Sequence, residues 1–170
     1  TGRNVTRVLA EGARSYTGVD GSPGMLEIAK ARANHERTSW LEANLLQPWS
    51  PSREHDLALV VLVLEHLPTL EILAATLAAS VRRGGRLRIV DLHHDRLAAG
   101  SIAQFREGST EVRFTSIAPS TDSIRAALET AGFAVEISEH EATDELVAAV
   151  PRITKHRGRY VMIDVTGVRQ

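Results

Sequence analysis

Residues 16–32 read YTGVDGSPGMLEIAKAR, an extended-type run that stops at Asp20 and turns into a helix-type run within three residues. Ser15 to Val19 reads as a strand. Met25, Leu26, Ile28, Ala29 and Ala33 then recur at helical spacing, with Ser22 placed as N-cap and Pro23 at the first helical position. A strand leading straight into a helix is the opening of a βαβ unit, and open α/β sheets bind ligands at the carboxyl ends of their strands. Asp20 stands at such an end, eighteen positions beyond Gly2, where a carboxylate can accept both ribose hydroxyls of an adenosine cofactor. It is equally placed to cap the turn before Ser22, and position alone does not separate these roles.

Working outward, strand-type and helix-type runs alternate without internal repeats or low-complexity segments, which reads as α/β with a largely parallel sheet. Thr38 to Asn44 is a short strand. Leu57 to Leu64, LALVVLVL, is uninterrupted and apolar, as expected of a central strand covered on both faces and buried best of all. A helix is expected from Pro68 to about Val81, stopped by Gly84-Gly85 ahead of a strand in RLRIVDL. Residues 93–120 show no clean period. Ile124, Ala127, Leu128 and Ala131 mark a helix closed by Gly132, after which FAVEIS and RYVMIDV read as strands.

The chain of 170 residues, 43% hydrophobic, suits one domain over 1–170. Twenty Lys and Arg against twenty-one Asp and Glu give a net charge of -1 without a long basic run, so neither nucleic acid nor a membrane surface is indicated as partner. The absence of cysteine excludes disulfides and thiol chemistry and fits a cytoplasmic protein. The start has no signal-peptide pattern, and no apolar run approaches the ~20 residues that span a bilayer. Assembly as a homo-oligomer is left open by the sequence.

The motif around Asp20 is followed by WLEANLLQPW, HDLALVVLVLEHLPTLE, RRGGRLRIVDLHH and AGFAVEISE. Taken in this order and spacing, the chain resembles the class I S-adenosylmethionine-dependent methyltransferases over essentially its whole length. The resemblance implies a Rossmann-like methyltransferase sandwich, mostly parallel, with an antiparallel C-terminal strand. It implies S-adenosyl-L-methionine as cofactor and a small-molecule acceptor whose O, N or C atom displaces the methyl group from the sulfonium. It also implies that Thr1-Gly2 are the last two positions of the family's glycine-rich loop. The first central strand would then be missing from these residues, leaving two unpaired strand edges and a destabilised sheet.

Carried over position by position, the resemblance assigns Gly2, Asp20, Gly21, Asn44, Leu45, Leu64 and Glu65 to the cofactor. Asp20 would bind the ribose. Asn44 stands where an Asp is usual and would accept the adenine amino group through its side-chain oxygen. Leu45 and Leu64 read equally as core. His66 and His93 are candidate general bases, with His94 and Asp91 nearby, although each histidine also reads as a backbone-bonded turn residue. The run VDLHHDRLAAGSIAQF resembles a bacterial small-molecule subgroup, with His94 where Pro is usual. Arg96, Phe105, Arg106 and Phe114 would wall the acceptor pocket. The histidines and carboxylates form no familiar metal-ligand spacing, so no metal is expected. Two other readings remain: a non-catalytic partner or inactive fragment of the same fold, and a nicotinamide-dependent oxidoreductase, which also places an acid after its second strand.

Overall fold

Tyr16–Asp20 (β1) and Thr38–Glu42 (β2) lie parallel, with Tyr16 opposite Thr38 and Asp20 opposite Glu42, in a computed structural model that describes residues 1–51, 53–100, 104–107, 110–113, 117 and 119–170. The chain forms two compact units, Thr1–Trp49 and Ser50–Gln170. In the first, Val5–Ala10 (α1) leads into β1 and Pro23–Arg32 (α2) connects β1 to β2. The expected cap is present: the Ser22 hydroxyl accepts the Met25 N–H at 3.3 Å, and Pro23 opens the helix. Val5, Leu9 and Ala33 form the core of this unit with Ala13, Tyr16 and Trp40 packed on it. The Trp40 indole lies over Gly18, its register partner, where a Cβ would overlap the ring.

The second unit contains His55–Val61 (β3), Glu71–Ser80 (α3), Val81–Leu92 (β4), His94–Ala98 (α4), Gln104–Glu107 (β5), Thr110–Arg113 (β6), Thr121–Thr130 (α5), Phe133–Glu141 (β7), Asp144–Ala149 (α6) and Tyr160–Arg169 (β8). The main sheet has the order β3-β4-β8-β7. β3 and β4 are parallel, and β8 runs antiparallel between β4 and β7. The expected antiparallel ending is therefore present. Leu73, Ala74 and Leu77 of α3 and Ile124 and Leu128 of α5 are buried together with Leu87 and Ile89 of β4. Each such side chain contributes about 1.5–3 kcal/mol of transfer free energy.

Four expectations are corrected. β3 is not covered on both faces: Val60 is buried, whereas Leu57 is 49% and Leu59 36% exposed. Among the described residues β3 pairs only with β4, and one of its faces is covered. The helix after it begins at Glu71, because Leu64–His66 forms a separate 3-10 turn before Pro68. Gly84-Gly85 do not stop that helix. They lie inside β4, which starts at Val81, and the β3 register shifts between His55 and Leu57 opposite this stretch. The aperiodic stretch after Leu92 includes α4 and the antiparallel pair β5-β6, elements too short for a periodic signal. No helix among the described residues is long and apolar enough to cross a membrane.

A Cβ at Gly85 would lie 2.7 Å from Val81 Cγ1, 2.8 Å from the Arg82 carbonyl oxygen and 3.1 Å from that of Asp56. Two of these neighbours are backbone and cannot rotate away. Gly85→Ala is expected to lower stability by about 1–3 kcal/mol, read as a lower urea midpoint with an unchanged slope.

Candidate functional site

Because β1 and β2 are parallel and in register, their carboxyl ends emerge side by side. The strand pairing continues one step further, with the Ala43 N–H donating to the Asp20 carbonyl at 3.1 Å. Gly21 follows on one side and Asn44 on the other, and a Cβ on Gly21 would sit 3.4 Å from the Ala43 oxygen and 4.0 Å from the Asn44 Cα. The sequence-named Asp20, Gly21 and Asn44 are thus brought together at one edge.

Asp20 also performs the turn-capping work that the sequence left as its alternative, and the Asn44 side chain makes a similar local bond. Asp20 Oδ1 accepts the Ser22 N–H at 2.9 Å, and Asn44 Oδ1 accepts the Leu46 N–H at 3.0 Å. These Asx-type turns fix the direction of each side chain. Oδ2 of Asp20 has no partner among the described residues, and Asn44 Oδ1 retains a second lone pair. Leu45 is half-buried beside them. Gly2 has φ +66°, and a Cβ there would lie 3.0 Å from the Ala29 carbonyl oxygen on α2. Only glycine combines that left-handed backbone with so close an approach. The Thr1 carbonyl accepts from the Arg32 guanidinium at 2.8 Å, fastening this stretch to α2.

In the second unit the carboxyl edge of β3 is held by Asp91 on β4. Its Oδ2 accepts the Val63 and Leu64 N–H groups, each at 2.8 Å, and its Oδ1 accepts the Leu92 N–H at 2.8 Å. Leu62, just before the bonded pair, has φ +55°, a conformation costly for a branched side chain. Asp91 is 1% exposed, and burial raises its pKa above the ordinary carboxylate value against the lowering effect of the three N–H donors.

This clamp decides where the sequence-named residues point. Leu64 turns into the core, where it lines a small apolar cavity with Leu70, Leu73, Ile89 and Ile124, so its packing role is the one realised. Glu65 is also buried, and its carbonyl accepts the Ile117 N–H at 2.8 Å. His66 stays about half exposed, with Nε2 4.0 Å from Glu65 Oε1. His93 is buried and both its ring nitrogens are engaged: Nε2 lies 2.8 Å from Glu139 Oε1, and Nδ1 accepts the Asp95 N–H at 3.1 Å. His93 therefore has no ring nitrogen ready to take a proton from an acceptor. Phe114 and the side chains of Phe105 and Arg106 lie outside the described residues.

Sequence reasoning missed Glu139 and His156. Glu139 shares the face of Phe133, Val135 and Ile137 on β7, so a carboxylate in an apolar phase was the available signal. His156, in the 3-10 turn Pro151–His156, is 1% exposed. Burial lowers its pKa, helped by the positive charges of Lys155, Arg96 and Arg159.

Two stability experiments follow from these groups. Asp91→Asn replaces an acceptor oxygen by an NH2 group facing a donor and is expected to cost about 1–3 kcal/mol. Because the folded Asp91 holds its proton more tightly than the unfolded chain, its contribution is full below the ordinary pKa of 3.8 and is lost as pH rises through the raised folded value. Asp91→Asn should flatten that part of the stability profile. His156 has the opposite sign: its contribution is present above the ordinary 6.5 and is lost as pH falls through the lowered folded value. Between about pH 7.5 and about pH 5, the melting temperature should therefore fall less in His156→Gln than in the parent chain.

A family model described as methyltransferase domain matches residues 1–89. An uncharacterized methyltransferase of Emericella nidulans is 29% identical over 176 aligned positions, which cover 87% of this chain and 61% of that protein. The chain thus spans about three-fifths of the length of that curated relative. The crystal structure of an S-adenosylmethionine-dependent methyltransferase from Mesorhizobium loti matches with a TM-score of 0.77 at 21% identity, over 97% of this chain and 85% of that one. The [4+2]-cyclase SpnF matches with a TM-score of 0.70 at 16% identity, over 99% and 71%. At these identities the two solved structures establish the shared fold.

Proposed function

The chain belongs to the methyltransferase-domain family, and from that premise we propose that it binds S-adenosyl-L-methionine and transfers the methyl group to a small-molecule acceptor. The observation that carries this reading is the edge formed by Asp20, Gly21 and Asn44. A carboxylate oxygen without a protein partner stands beside a glycine and an amide oxygen, all on rigid strand ends. That donor and acceptor chemistry suits an adenosine: Asp20 Oδ2 accepts the ribose hydroxyls, Asn44 Oδ1 accepts the adenine amino group, and Leu45 offers an apolar flank. Gly2, where a side chain would strike α2, lets the backbone follow the amino-acid end of the cofactor. The cofactor, when bound, supplies an electrophilic methyl group and its own leaving group.

What remains for the protein is to align the acceptor with that methyl group and, where the acceptor carries a proton, to remove it. His66 is the better candidate base than His93, since its ring is half exposed beside Glu65 at the β3 edge. Leu64 and Glu65 serve this edge from the buried side. A cysteine-free chain without a membrane-crossing helix among the described residues is in keeping with a cytoplasmic enzyme, and both compact units are read as parts of one methyltransferase domain. The antiparallel β8 between β4 and β7 and the family match weigh against the nicotinamide reading. A second reading, cofactor binding without methyl transfer, is supported by the fold shared with a [4+2]-cyclase.

Titration calorimetry with S-adenosylhomocysteine tests the site directly. Asp20→Ala removes a charged hydrogen-bond acceptor and should weaken binding about 10- to 100-fold with little change in melting temperature. If the parent chain takes up neither the cofactor nor its product, the proposal is wrong. His66→Ala should leave that affinity unchanged and lower the turnover of a proton-bearing acceptor about 100-fold. Cofactor binding without donor consumption across a panel of small nucleophiles would favour the second reading.

A further inference from the structure

The turn between β4 and α4 gathers three ligand-type side chains that neither the family match nor the proposed methyl transfer uses. Ligand atoms of His93, His94 and Asp95 all lie within 4.8 Å of one another. His93 Nδ1 is 3.8 Å from Asp95 Oδ2, and His94 Nε2 is 3.5 Å from Asp95 Oδ1. Donor atoms spaced this way are near the separation they have around an ion bound at about 2.0–2.2 Å. We propose that His93, His94 and Asp95 form a binding site for one borderline divalent cation of the zinc, cobalt or nickel kind.

Four features carry this beyond proximity. First, Glu139 Oε1 holds His93 Nε2 at 2.8 Å. A carboxylate there accepts a hydrogen bond from Nε2–H, which leaves the lone pair on Nδ1, directed to the side where Asp95 stands. Carboxylate-held histidine is the usual outer arrangement of a metal ligand, fixing tautomer and ring orientation. Second, the His93 and His94 rings lie with centroids 4.0 Å apart at a 33° tilt, which keeps two imidazoles together before an ion arrives. Third, His94 Nδ1 is buried without a hydrogen-bond partner, so no competing bond turns the ring away from Asp95. Fourth, the carboxyl groups of Asp95 and Glu139 stand beside the two imidazoles, and the partly exposed His94 and Asp95 give an ion a way in.

Two imidazoles and one carboxylate select borderline ions over magnesium or calcium, which take oxygen-rich sets. Three protein ligands leave at least one position open. Binding exchanges one bond: the lone pair of His93 Nδ1 now accepts the Asp95 N–H at 3.1 Å and would be given to the ion instead, freeing the amide of the second α4 residue. The spacing of the sequence conceals the site because the ligands are consecutive, a pattern that only the β4-to-α4 turn and the adjacent rings bring to a focus.

The test is a cobalt(II) titration of the intact chain followed by visible absorption, with zinc(II) as competitor. A single saturable ion with ligand-field bands, displaced by zinc, is the expected result. His94→Ala and Asp95→Asn, both partly exposed and so compatible with folding, should each weaken binding at least about 10-fold, and Glu139→Gln about 10- to 100-fold. His140→Ala, an exposed histidine on β7, should bind as the parent does. Absence of saturable binding, or equal affinity in His94→Ala and Asp95→Asn, would overturn the proposal.

Discussion

The buried carboxylate of Asp91 is the constraint on which the larger unit turns. Among the described residues β3 pairs only with β4, and beyond Val61 its chain leaves the sheet, reverses into a 3-10 turn and delivers Leu64 to the core. That path passes through Leu62 at φ +55°, which an unaided chain avoids. Three N–H groups bonded to the Asp91 carboxyl oxygens hold the chain on that path. The same bonds satisfy donors that would otherwise be buried and unpaired at the end of the strand.

From that point the geometry of the edge follows. With Leu64 fixed inward, its successor Glu65 is also buried, and His66 is the first polar side chain of the turn to reach solvent. One residue beyond Asp91 on β4, Leu92 is fastened by the same carboxylate, and His93 then drops beneath the sheet edge onto Glu139 of β7. Asp91 therefore sets the positions of both sequence-named histidines without touching either. It exposes one and buries the other, which is why two residues of the same type at neighbouring strand ends differ in availability.

Much of this was legible in the chain itself. Ser22 and Pro23 announced the helix, Gly132 its later counterpart, and the closing pair FAVEIS and RYVMIDV the antiparallel strand. Asp20 was singled out by its place after a strand and Asn44 by the family resemblance. β3 was misjudged for a physical reason: an apolar run records what a strand tolerates, whereas cover on each face depends on which neighbours exist. Gly84-Gly85 were read as a helix stop because glycine marks both helix ends and strand irregularities. Here the second holds, with β4 crossing them under a register shift.

The residues hardest to assign were charged ones in an apolar phase. On β4 the buried face runs Leu87, Ile89, Asp91, and on β7 the better-covered face runs Phe133, Val135, Ile137 and ends at the exposed Glu139. In each case a carboxylate falls where alternation calls for a hydrocarbon side chain. Where such a carboxylate is buried, as Asp91 is, it is costly unless something bonds it, whereas Glu139 keeps contact with solvent. For Asp91 the partner is backbone, and the result is a clamp. For Glu139 the partner is an imidazole, and the result is a ring of fixed tautomer facing two further ligand-type side chains. The family match accounts for the sheet that presents both acids, yet the shared fold is also found in a cyclase, so the chemistry must be argued from such side chains and not from the sheet.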